Sequence, residues 1–243
     1  MKNKKSFGFT LAEVLITLGI IGVVAALTIP QVVKNYKEKA TVAHLKKTYS
    51  VMEQAWSRIS LDYGDISDWG LTVGDEDILI DRIAIYFNAT QVCHSDELAK
   101  CVPNVMYLTS IGTNHLNYIE SMNDGPKRAA LKLTDGSVMM INFRPLQNVE
   151  KDGKTLQIYI DLNAGKKPNK VGNDFFYFFS MRDNKLYPGG HIALLENTDK
   201  DKYFKDKCLN AYGYGCTNWV LENENMDYFK CKDLSYYGKR RCK

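Results

Sequence analysis

Residues 9–29 read FTLAEVLITLGIIGVVAALTI, twenty-one positions holding one charge, Glu13. As a helix rising 1.5 Å per residue the run is roughly 31 Å long, about the thickness of a bilayer's hydrocarbon layer. Lys2, Lys4 and Lys5 precede it and no cation interrupts it, which predicts a cytoplasmic leader and a chain that crosses outward. Mean hydropathy over the whole chain is −0.31, so a protein of many spans is excluded. Hydrophobic residues are 45% and charged residues 25% of the 243 positions, ordinary globular values that exclude wholesale disorder. The formal charge of +4 owes most to the leader. Without its three lysines 29 basic residues face 28 acidic ones, a balance with no nucleic-acid signature.

The plainer reading of residues 9–29 is a cleavable secretory signal, with Val24-Ala25-Ala26 as a poor small-residue cleavage site. Glu13 argues against it. An ionised carboxylate in the first third of the run costs about 2.5–3.5 kcal/mol on insertion scales, a penalty a discarded peptide has no reason to carry. No cation lies within reach along the same helix. Cleavage before Phe9 would create one, because the new α-amino group would stand four residues from Glu13, in the same chain or in a neighbour. The junction Lys4-Lys5-Ser6-Phe7-Gly8-Phe9-Thr10-Leu11-Ala12-Glu13 resembles the prepilin-type leaders of type IV pilins and type II secretion pseudopilins.

The resemblance covers about the first thirty residues, GFTLAEVLITLGIIGVVAALTIP included. It implies cutting after Gly8 by a prepilin peptidase and methylation of Phe9. It places the family's assembly glutamate on Glu13 and its helix-bending proline on Pro30. The implied protein sits in the bacterial inner membrane as a single pass, amino terminus cytoplasmic, with lipid as its first partner. It is then extracted by an inner-membrane assembly platform into a periplasmic or extracellular filament of pilin or pseudopilin subunits. A mature chain of 235 residues is longer than many major pilins, which leans towards a minor pilin or a pseudopilin.

Past Pro30, residues Val42, Leu45, Tyr49, Met52, Trp56, Ile59 and Tyr63 recur alternately three and four apart, one stripe of a helix. One helix is therefore expected from Phe9 to about Tyr63, bent or locally melted at Pro30. A coiled coil is the alternative, but the stripe is aromatic and lacks paired flanking charges, so a helix laid on a β-sheet is preferred. Residues 62–81 hold seven acids, no Lys or Arg, and Gly64, Gly70 and Gly74; they read as an exposed loop, with calcium binding the lesser alternative. Residues 78–88 fit a short helix or a strand. Strands are expected at 130–134, 138–143, 156–162 and 175–181, with Asp135-Gly136 as a two-residue hairpin signal and Pro145 and Pro188 as punctuation. Such a sheet has an apolar face that the 42–63 stripe can cover. The expectation is an α+β, type IV pilin-like fold: a leader (1–8), a transmembrane helix (9–29), its amphipathic continuation (30–63) and an exported head (64–243).

Three further sites stand out. Asp161, Asn163, Asn169 and Asp174 lie in a loop similar to the DxNGxxxPNxxGxD pattern of some pilin-like proteins, with Ala164 in place of the first glycine. Hard cations take such oxygens, so calcium is a candidate cofactor; the alternative is turn-making, with both aspartates capping amides. Lys166, Lys167 and Lys170 oppose tight binding. The six cysteines, all beyond the apolar segment, favour disulfides on the exported side. Fifteen connectivities are open; the local choice pairs Cys93 with Cys101, Cys208 with Cys216 and Cys231 with Cys242. Zinc is the rival, without a CxxC to support it. Residues 228–243 carry six cations and one acid, and aromatics beside Lys239, Arg240 and Arg241 could grip DNA or a surface. Residues 219–221 and 225–228 read as a last strand and turn. His44, His94, His115 and His191 are scattered, and nucleophile, zinc-protease, P-loop and dinucleotide motifs are absent, so no enzyme is expected.

Overall fold

The computed structural model describes residues 10–120, 127–144, 153–195 and 198–242. The leader with Gly8 and Phe9, and also Pro145, lie outside the described residues. The chain divides into two units, Met1–Ala40 and Thr41–Lys243.

Helix α1 runs Leu11–Tyr63 and contains Pro30. Pro30 brings no N–H, so the Ala26 carbonyl lacks its usual donor. The helix nevertheless continues through it, which corrects the expected local melting. In the first unit the apolar side chains are uncovered: Leu11, Leu15, Ile16, Ile21 and Leu27 are each 60% or more exposed. In the second unit α1 buries Val42, Leu45, Thr48, Met52, Ala55, Trp56 and Ile59. Tyr49 is half-buried and Tyr63 remains exposed, so the stripe packs as read except at its last turn. Each fully buried member of it contributes about 1.5–3 kcal/mol.

Helix α2 (Glu76–Ala84) follows a short 3-10 turn at Ile66–Trp69. Residues 64–75 are mostly exposed or half-buried, as expected of a loop, but the expectation fails over the last part of the stretch. The end of the acidic stretch is helical, and Glu76 is fully buried with Leu79, Ile80 and Ile83. Its carboxylate accepts N–H bonds from Gly74 (2.9 Å) and Phe143 (3.0 Å), which is how the interior tolerates it. Burial still raises its pKa.

The strands are β1 (Ala89–Cys93), β2 (Tyr107–Leu108), β3 (Asn114–Leu116), β4 (Ala129–Leu133), β5 (Val138–Phe143), β6 (Lys154–Asp161), β7 (Phe175–Met181) and β8 (Leu186–Pro188). Six form one antiparallel sheet in the order β1-β4-β5-β6-β7-β8, and β2 pairs with β3. Asp135-Gly136 does turn a hairpin, but in a three-residue loop. Leu133 N–H bonds Ser137 O at 2.9 Å, Gly136 N–H bonds Leu133 O at 3.1 Å, and Gly136 sits at φ +86°.

Both faces of the sheet are covered, where one was expected. Leu131, Met139, Ile141, Ile158 and Phe178 pack with the outer part of α1, α2 and the carboxy-terminal segment. Met140, Tyr159, Phe175 and Tyr177 pack on the other side with Leu98, Val102, Tyr107, Tyr118 and Leu194. The run Phe175–Phe179 is buried at every position, as a strand enclosed on both faces must be.

The carboxy-terminal segment carries two helices, α3 (Lys200–Phe204) and α4 (Cys216–Asn223). The latter corrects the strand expected at 219–221. Trp219 on α4 is fully buried and stacks on Phe204 with ring centres 4.1 Å apart.

Candidate functional site

Helix α1 opens with Thr10-Leu11-Ala12-Glu13, and the two end residues cap it reciprocally. Thr10 N–H and Oγ1 donate to Glu13 Oε2 at 2.8 and 2.9 Å, and Glu13 N–H donates to Thr10 Oγ1 at 3.3 Å. This is the capping box that a threonine followed three residues later by glutamate encodes, a signal present in the sequence but not read there. It changes the argument about Glu13. The carboxylate has neutral donors in its own chain, so part of its burial cost is met before any new amino group exists. What it still lacks among the described residues is a counter-charge. Downstream, the continuous apolar surface of α1 to Ile29 is of the size that marks a membrane or protein contact.

The four candidate cation ligands converge on one loop. Asp161 and Asp174 are buried, Asn169 is buried and Asn163 half-buried. Asp161 accepts from Asn163 N–H (3.0 Å), Gly165 N–H (2.9 Å) and the Tyr107 hydroxyl. Asp174 accepts from Asn163 Nδ2 (3.0 Å), Asn169 N–H (2.9 Å) and Lys170 N–H (2.7 Å). The carboxylates thus cap turn amides. Yet Asn163 Oδ1 and Asn169 Oδ1 are buried and have no donor among the described residues. Burial pushes Asp161 up and lifts Asp174 to about 6, against the amide bonds that favour ionisation. Among the described residues no three His, Cys, Asp or Glu side chains cluster as a metal site; the loop offers two carboxylates and two amide oxygens.

All six cysteines are paired: Cys93 with Cys101, Cys208 with Cys216 and Cys231 with Cys242, at Cα separations of 6.0, 4.9 and 6.0 Å. The last pair pins the tail. Within it Asp227 accepts from Cys242 N–H (2.9 Å) and Lys230 Nζ (2.7 Å), while Asn225 Nδ2 donates to Arg240 O (3.2 Å). The three cations singled out for DNA each make a contact within the protein and remain exposed. Lys239 bridges Asp233 at 2.8 Å, Arg240 donates to Tyr236 O at 3.0 Å, and Arg241 reaches Asn223 O at 3.4 Å. Tyr228 and Tyr236 are buried; Tyr237 is exposed, its hydroxyl on Asp199.

A model of the prokaryotic N-terminal methylation motif matches residues 3–29. A model of a family of unknown function, DUF6613, matches residues 31–240. No curated protein and no solved structure matches the chain.

Proposed function

The chain belongs to the DUF6613 family and carries the prepilin-type signature of type IV pilins and pseudopilins, and from that premise we propose that it is a minor pilin or pseudopilin. At the coarser level it is a pilin-type subunit. In the proposed sequence a prepilin peptidase cuts after Gly8 and the new amino terminus at Phe9 is methylated. The subunit waits in the inner membrane with residues 9–29 in lipid and its head on the exported side, and the assembly platform then moves it into a filament.

The observation that carries this reading is the methylation motif joined directly to an apolar helix whose side chains are exposed among the described residues. The test is mass and amino-terminal sequence of the chain recovered from membranes. Wild type is expected to begin at methylated Phe9, and Gly8→Trp to retain its leader; normal shortening of that variant would remove the assignment.

The two orphaned amide oxygens support a second, smaller reading. We propose that Asp161, Asn163, Asn169 and Asp174 hold a calcium ion, which would give those oxygens a partner and favour the ionised carboxylates. Millimolar calcium against chelator is expected to raise the melting temperature of wild type and to leave Asp174→Asn unmoved. An equal shift in both would assign the effect elsewhere.

A further inference from the structure

Residues 31–40, the last part of the first unit, are helical throughout. They read QVVKNYKEKA and hold three lysines against one acid, Glu38. At 3.6 residues per turn, Ile29, Val32, Val33, Tyr36 and Ala40 share one face about 100° wide. Lys39 borders one edge of that face and Lys37 the other, with Lys34 further round. Val32 is 64% and Tyr36 73% exposed, and the three lysines are exposed with them. A short apolar face with cations along both edges is the pattern of a helix at a membrane surface. There the lysine stems lie along apolar ground while their ammonium groups reach phosphate. Tyrosine is also a residue type that gathers at that depth.

Chain connectivity sets the depth. With residues 9–29 in hydrocarbon, the headgroup layer is the next ~5–8 Å. Lys34, Lys37 and Lys39 stand about 8, 12 and 15 Å beyond Ile29 along the helix axis. Every Cα–Cβ bond of a helix tilts towards its amino terminus, which here is the end in the bilayer. The three side chains therefore lean back towards the headgroups.

The same features choose among occupants. A free phosphate or a nucleic acid would engage the lysines and leave the apolar face in water. A second copy at the same level would bring the same charge, three lysines less Glu38 or +2, and repel. A zwitterionic lipid would cover the face and leave that charge unanswered. An anionic phospholipid meets both. We propose that residues 31–40 are a membrane-surface element in which Lys34, Lys37 and Lys39 hold anionic phospholipid headgroups. The inference rests on the proposed span at 9–29.

The experiment reconstitutes the full chain in phosphatidylcholine bilayers with a trace of spin-labelled phosphatidylglycerol or phosphatidylcholine. Electron spin resonance then reads the fraction of each lipid that the protein immobilises. Wild type is expected to favour phosphatidylglycerol by about fivefold, the weight of one lysine at an anionic surface. That preference should fade in about 1 M salt, where the Debye length is about 3 Å. Changing Lys34, Lys37 and Lys39 together to Gln keeps helix-forming side chains and should cut the preference by about threefold. Changing three exposed lysines of the second unit, Lys166, Lys167 and Lys202, to Gln should leave it at the wild-type value. An unchanged preference in the first variant, or an equal fall in the second, overturns the assignment. Immobilised lipid with no preference in wild type overturns it too and leaves the span standing; fewer filaments from the first variant would then give the face to neighbouring subunits. No immobilised lipid of either kind would overturn the span itself and this inference with it.

Discussion

Ala164 sits at φ +52°, a left-handed conformation that costs a residue with a Cβ about 1–2 kcal/mol and glycine almost nothing. It occupies the place where the similar loop pattern has glycine. Ala164→Gly is therefore expected to stabilise the protein by about 1 kcal/mol, seen as a rise of about 2–4 °C in melting temperature; no rise would mean the loop relaxes that strain already. Ten residues on, Asp174 makes a pH prediction. Its folded pKa, about 6, lies above the value of the unfolded chain. The folded state thus binds the proton more readily, and this group adds stability as pH falls through 6 towards 4. In chelator, wild type is expected to gain about 2 kcal/mol over Asp174→Asn between pH 7 and pH 4. Parallel stability curves for the two proteins would remove the burial argument for this side chain.

At the scale of elements, sequence pattern served long periodic or apolar segments and failed on short mixed ones. The α1 stripe and the strands near 130, 140, 158 and 178 are legible because burial on a helix or strand imposes its period on several successive residues. Strands β1 and β8 are edge strands of five and three residues, too short and too mixed to stand out. Residues 219–221 carry no period at all, and what makes them helical is tertiary: Trp219 stacks on Phe204 and packs against Tyr236. The cover on the second sheet face was missed because Tyr107 and Tyr118 come from a segment without a pattern, although the unbroken aromatic run of β7 already demanded two covers. The four candidate cation ligands share one loop because they are close in sequence, whereas the turn amides that Asp161 and Asp174 cap, and the Thr10–Glu13 cap, depend on backbone geometry. The tail carries a prediction at this scale. Cys231 and Cys242 close an 11-residue separation, so replacing both by serine should cost about 2–3 kcal/mol and expose the tail after Tyr228 to limited proteolysis. Cleavage no faster than in wild type would show that the Asp227 and Asn225 contacts suffice.

For the whole molecule, the proposed function gives the exposed apolar helix two surroundings, lipid and the helices of other subunits, and both are equally greasy. Moving from one to the other gains little from the hydrophobic effect; packing and polar pairing must supply the preference. Glu13 is the polar group in question, and it has two separable roles. As a cap it needs only an oxygen that accepts from Thr10. As a partner for a neighbour's amino terminus it needs its charge. Glu13→Gln keeps an acceptor and loses the charge; Thr10→Val loses the hydroxyl half of the cap and keeps the charge. Both variants should insert in membranes and, on the proposed processing, lose their leader to the same extent as wild type. If charge drives docking, Glu13→Gln should lower filament yield by about tenfold or more, the equivalent of one lost charge-assisted bond of about 1.5–3 kcal/mol, while Thr10→Val assembles nearly as wild type. Quantifying sheared filaments against membrane-retained subunit decides it. Wild-type yield from Glu13→Gln with a deficit in Thr10→Val would reverse the assignment and leave Glu13 as a helix cap alone.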